Sequence, residues 1–117
     1  FAIETKNWSG EIDVREGDLF APVTGERFDV VLFNPPFFRG RPRDELERAL
    51  WAEDVVERFA AGLGAHLAPG GHALLVLSSD GDVDGFLARF RKNGFGCAAV
   101  AERNLVNEML TVYRFEA

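Results

Sequence analysis

Apolar and polar positions along the chain fall into short runs with two different periods. Residues 11–16, Glu-Ile-Asp-Val-Arg-Glu, alternate strictly, with Ile12 and Val14 on one side and Glu11, Asp13 and Arg15 on the other. A period of two predicts a half-exposed strand near a sheet edge, ended by Gly17-Asp18. Residues 28–33, Phe-Asp-Val-Val-Leu-Phe, are almost continuously apolar, which predicts a strand buried on both faces. Asn34-Pro35-Pro36 stops that strand, because proline has no amide proton to give to a ladder. From about 44 to 67 the spacing turns helical: Asp44 and Glu47 read as an N-cap and its reciprocal partner, and Leu46, Leu50, Val56, Phe59, Ala60, Leu63 and Leu67 recur every three or four residues. A break falls near Trp51–Asp54, Gly62 and Gly64 mark a fraying end, and Pro69-Gly70-Gly71 closes the segment. Residues 72–77 give a second buried strand. Val83, Phe86, Leu87 and Phe90 form a clean stripe over 82–93, with Gly94 just past the helix end. Residues 95–103 and 108–115 read as two strands joined by the short Asn104–Asn107 link, an antiparallel hairpin. Residues 1–9 read as the tail of a helix ending near Gly10.

Strands alternating with helices imply an α/β fold with a mostly parallel sheet. The length of 117 residues suits one domain, and a hydrophobic content of 47% with eleven Phe supplies a core. A net charge of -6 argues against a dominant nucleic-acid surface, although charge can be segregated locally. Cys97 has no second cysteine to pair with, and two scattered histidines, His66 and His72, do not suggest a metal site. No apolar run approaches the roughly 20 residues that span a bilayer, so no membrane partner is expected and the expected location is the cytoplasm.

In open α/β sheets ligands gather at the carboxyl ends of strands, and two such ends carry unusual residues: Asp18-Leu19 after the first strand and Asn34-Pro35-Pro36-Phe37 after the second. The second segment suits a planar nitrogen. Methyl transfer from a sulfonium is an in-line displacement, so a delocalised lone pair must be aimed at the methyl group. An Asn34 side-chain oxygen and a backbone carbonyl both accept from one NH2 group. Pro35 and Pro36 stiffen the spacing of the acceptors, and Phe37 offers a flat face for stacking. A turn whose only job is to end a strand would use the same residues, but its place after a buried strand favours the site.

Here the chain resembles a known family. "FDVVLFNPPF" is similar to strand four and the following motif of class I methyltransferases that act on amino or amide nitrogen. "VREGDLF" (14–20) resembles strand three with its adenine-side acidic loop, "LAPGGHALLVLSS" (67–79) the turn into strand five, and "AERNLVNEMLTVYRF" (101–115) the hairpin of strands six and seven. The resemblance implies a Rossmann-like sheet with a C-terminal antiparallel hairpin, lacking the first two strands of the order three-two-one-four-five-seven-six. Residues 1–117 would then be a partial catalytic domain, strands three to seven, of a truncated chain or a split enzyme. It implies S-adenosyl-L-methionine as cofactor, with Asp18 and Leu19 on the adenine and Asn34 beside the donor. Asn34 and the Pro35 carbonyl would hold the acceptor, Pro36 would stiffen the loop and Phe37 would stack. "FNPPF" and "LTVYRF" look most like the enzymes that methylate a glutamine amide of peptide-release factors. Relatives act on rRNA or tRNA amino groups, and some need a small activating subunit. Trp51 departs from that branch, where a glycine-rich segment is usual.

Other features are weaker. Arg39, Arg41 and Arg43 stand where phosphates or an acidic peptide would enter, although a solvated loop is the plainer reading. Phe38 is as much core as pocket, Cys97 reads as a small buried hydrophobe, and Glu108 reads as solvated. Two other functions compete: a methyltransferase-like binding module without catalysis, and a nucleotide-binding oxidoreductase piece. The second has no reason to place Asn-Pro-Pro-Phe after a central strand.

Overall fold

The computed structural model describes residues 2–6, 12–34 and 54–117. β1 (Ala2–Lys6) and β2 (Ile12–Glu16) pair antiparallel as a two-stranded sheet, in register from Ala2↔Glu16 to Lys6↔Ile12. The helical expectation for residues 1–9 is therefore corrected for residues 2–6. The five-residue run is too short for a helix to hold by itself, and its β-branched Ile3 and Thr5 favour the extended form.

The second sheet holds β3 (Phe28–Phe33), β4 (Leu67–Ser78), β5 (Gly96–Asn104) and β6 (Met109–Glu116) in the order β3-β4-β6-β5. Among the described residues only β3–β4 is parallel; β4–β6 and β5–β6 are antiparallel, so this sheet is mixed rather than mostly parallel. Between β3 and β4 the chain crosses over through α1, helical across residues 54–63, and a turn of 3-10 helix at Gly64–His66. The expected helical residues 44–53 lie outside the described residues. Leu67 is the first residue of β4, not the last of the helix. Pro69-Gly70-Gly71 does not separate elements but sits inside β4 as an irregularity: Phe28 pairs with Leu67, yet Val30 pairs with His72. Gly71 is required there, since a Cβ on it would stand 2.9 Å from the carbonyl oxygens of Ala68 and Phe28.

α2 (Val83–Lys92) follows the expected stripe. Asp82 caps it by accepting from the Gly85 amide at 3.0 Å. At the other end Gly94 takes φ +88°, the Gly94 amide donates to Arg91 O and the Phe95 amide to Phe90 O, both at 3.0 Å. This is a Schellman ending, and Phe90 and Phe95 supply its hydrophobic contact edge to face at 6.2 Å.

The core lies between the two helices and one face of the sheet. It takes Val56, Phe59, Ala60 and Leu63 from α1, Phe86, Leu87 and Phe90 from α2, Ala73, Leu75 and Leu77 from β4, and Phe115 from β6, with Val31 and Phe33 of β3 packed against it. β3 was expected to be buried on both faces, and here the structure differs. Val30 is 47% and Leu32 74% exposed. Alternate residues of a strand face opposite sides, and both described helices pack on the Val31–Phe33 side. β3 is moreover an edge strand among the described residues.

Candidate functional site

Three chain segments carry the candidate residues, and the first two touch α1. The first is the loop after β2. Gly17–Phe20 turns into a 3-10 helix, Ala21–Val23, through an Ala21 amide donating to Asp18 O at 3.0 Å. Leu19 adopts φ +49°, the left-handed region that costs a side chain about 1 kcal/mol or more. Its side chain is only 8% exposed, and that burial offsets the backbone strain. Asp18, next to it, points its carboxylate outward and accepts from Arg58 Nη1 at 2.6 Å. Arg58 Nε reaches Asp54 one turn earlier on α1, at 3.0 Å. The hydrogen bond that Arg58 donates to Asp18, more than the charges around it, holds the guanidinium above the ordinary arginine range, against a desolvation cost.

The loop continues into a segment fixed on both sides. Arg15 donates to Glu26, to Asp13 at 2.8 Å and to Pro22 O at 3.2 Å. Its guanidinium is raised chiefly by the bond to Glu26. Arg27 donates to Leu67 O at 2.9 Å, and buried His66 donates from Nδ1 to Glu26 O at 2.9 Å. His66 thus serves a structural role, tying the end of the crossover to the segment before β3; His72 is half-buried.

The second segment is the carboxyl end of β3. Asn34 follows Phe33 directly, outside the strand and exposed. It stands at the carboxyl edge of the strand, on the surface rather than in the core. Pro35, Pro36 and Phe37 lie outside the described residues, as do Phe38, Arg39, Arg41, Arg43 and Trp51.

The third segment is the carboxyl end of β4, which sequence reasoning passed over. Ser78, 1% exposed, donates its hydroxyl to the Glu108 carboxylate and accepts from the Asp80 amide at 3.1 Å. Ser79 Oγ accepts from the Met109 amide at 2.8 Å, while the Ser79 amide donates to Met109 O at 2.9 Å. Glu108, expected to be solvated, is half-buried because the β5–β6 turn folds back over this strand end. The available signal was the pair of serines closing an apolar strand. Since β3 and β4 run parallel, with Phe33 opposite Leu75, Asn34 and the serines share one edge of the sheet.

Asp18 and Asn34 come from different sheets, and side chains of α1 bring their loops together. Phe59 stacks on Phe33, with centroids 4.1 Å apart, and on Phe20 at 5.1 Å. Cys97 is half-buried, and burial pushes its thiol above the usual range. Among the described residues no group of three or more His, Cys, Asp or Glu is placed to hold a metal, and no helix is long and apolar enough to cross a membrane.

Comparison with known proteins agrees with this architecture. Residues 2–105 match the family model of the methyltransferase small domain. A release factor glutamine methyltransferase of Xylella fastidiosa (strain Temecula1 / ATCC 700964) is 37% identical over 73 aligned residues. That alignment takes in 52% of this chain and 26% of the relative, so the chain spans about a quarter of that protein's length. A family match over nearly the whole chain, on a mixed sheet whose parallel β3–β4 pair runs into an antiparallel β6–β5 hairpin, means that this chain belongs to the methyltransferase small domain family, with the Rossmann-like α/β architecture of class I methyltransferases.

Proposed function

We propose that residues 1–117 form part of the catalytic domain of an S-adenosyl-L-methionine-dependent N-methyltransferase. Its acceptor is a planar amide or amino nitrogen, and the best-supported one is a glutamine side chain of a peptide-release factor. The observation that carries this reading is the exposed Asn34 at the carboxyl end of β3, one residue beyond a ring that is stacked into the core.

The described residues fit the donor's adenosine end in part. Asp18 keeps an accessible carboxylate although Arg58 occupies one of its oxygens, and the second can accept from an exocyclic amine. Leu19, locked by burial and by its left-handed backbone, fixes the direction in which Asp18 projects. When bound, S-adenosyl-L-methionine supplies a methyl group already activated by the positive sulfur. The protein's own part is alignment. Asn34 Oδ1 accepts one N–H of the acceptor, the Pro35 carbonyl accepts the other, and the lone pair is left directed out of that plane. The two prolines restrict the backbone that carries these acceptors, and Phe37 supplies a stacking face. The nitrogen's extra proton leaves after transfer, so no side chain has to remove it first.

The name of the Xylella relative supports a protein acceptor, as does the acidic balance of the chain. The test is transfer of labelled methyl by the full encoded protein to purified release factor, against bulk tRNA and rRNA. Label on the release factor is expected. Label on RNA alone replaces the protein acceptor with a base amino group. If calorimetry detects no binding of S-adenosyl-L-methionine, the domain is a binding module without catalysis.

A further inference from the structure

The Asp18 loop and the end of β3 belong to separate sheets, so the distance between them is not set by a shared strand ladder. One side chain touches both. Phe59 is 3% exposed, and its ring lies nearly parallel to Phe33 (4.1 Å, 10°) and to Phe20 (5.1 Å, 24°). Phe33 is the residue before Asn34. Phe20 is the residue after Asp18-Leu19, and its ring also lies flat on the His66 imidazole, at 4.4 Å and 6°. The neighbour of Phe59 on α1 is Arg58, which grips Asp18 itself. Two successive residues of one helix therefore hold the Asp18 loop, and one of the two also holds the strand end that presents Asn34.

We infer that Phe59 is a positioning residue: its ring is the spacer that fixes the Asp18 loop relative to Asn34, so that the two segments loosen or tighten together. In terms of the proposed function, on which only this wording rests, it couples the methyl-donor side to the acceptor side without touching either ligand. A core residue that only filled volume would behave differently. Phe59 also meets Phe90 of α2 edge to face at 6.1 Å, so loss of simple packing would spread into α2 and the sheet behind it.

The experiment is amide hydrogen exchange on the full encoded protein with Phe59→Leu, which keeps an apolar side chain and removes the flat ring. Phe20→Leu serves as a second variant that disturbs the core less. S-adenosylhomocysteine is titrated calorimetrically into each. Losing the ring pairs should speed exchange about tenfold in peptides covering 17–21 and in those reaching 32–34, while α2 and the β5–β6 hairpin keep their protection. Phe20→Leu should also loosen 32–34, which it does not contact through its own ring pairs. Faster exchange on one side only, or spread evenly through the sheet, overturns the inference. Affinity for S-adenosylhomocysteine should fall about tenfold in both variants. If the unaltered protein takes up none, the methyltransferase reading of this chain fails, and the exchange pattern alone still decides whether the ring couples the two segments.

Discussion

Gly71→Ala isolates one close approach in the fold. A Cβ at this position would stand 2.9 Å from Ala68 O, 2.9 Å from Phe28 O and 3.0 Å from Asp29 O. Even favourable carbon–oxygen contacts sit at about 3.3–3.6 Å, so three backbone carbonyls must each withdraw by roughly 0.4 Å. None is the tip of a flexible side chain, and two belong to the start of β3, whose pairing with β4 already shifts register there. Overpacking of this kind costs about 1–3 kcal/mol. For a chain of this size that lowers the melting temperature by roughly 5–15 °C. The control is Gly70→Ala. Gly70 has φ +77° and nothing within 4 Å of an added Cβ, so its cost is conformational only, about 1 kcal/mol. Thermal unfolding followed by far-UV circular dichroism compares the two. The β3 origin does not lie against Gly71 as described if Gly71→Ala melts with the wild type, or above Gly70→Ala.

Further outcomes are expected. Asn34→Ala in the full encoded protein should lower turnover about a hundredfold or more and leave affinity for S-adenosyl-L-methionine nearly intact; equal loss of both would give Asn34 a folding role instead. Asp82→Ala removes the cap on α2 and should cost about 1 kcal/mol in urea denaturation, with Asp82→Ser recovering most of it. Because burial raises the Cys97 thiol, alkylation of the folded protein should take off at higher pH than that of the urea-unfolded chain; coincident profiles would show the thiol to be freely solvated. By linkage the neutral thiol favours the fold. Its contribution is complete below the unfolded thiol's range, near pH 8.5, and is lost as pH rises towards the folded value, so stability should decline slightly across that alkaline window.

Much of the fold follows from periodicity. The stripe of Phe86, Leu87 and Phe90 makes α2 bury one face whatever it packs on, and Asp82 and Gly94 stop it by local chemistry alone. The β5–β6 hairpin is equally local, because the link is too short for anything but antiparallel return. The place of Asn34 also follows from sequence, since a proline pair ends β3 where its apolar run ends. What periodicity cannot contain is partnership. Ala2–Lys6 has a local bias towards the extended form, but Ile12–Glu16 beside it supplies the ladder that makes it a strand. The Pro-Gly-Gly run is a bulge rather than a boundary because the carbonyls of Phe28, Asp29 and Ala68 crowd against Gly71. Glu108 is drawn in by a serine thirty residues earlier in the chain. An apolar β3 can be read as buried, but which of its faces meets the helices is a matter of docking. Likewise, Asp18 and Asn34 each announce themselves as strand-end residues. That both segments are tied to one helix is decided by Arg58 and Phe59, because a contact between distant segments depends on where a whole helix lies, and no local pattern encodes that.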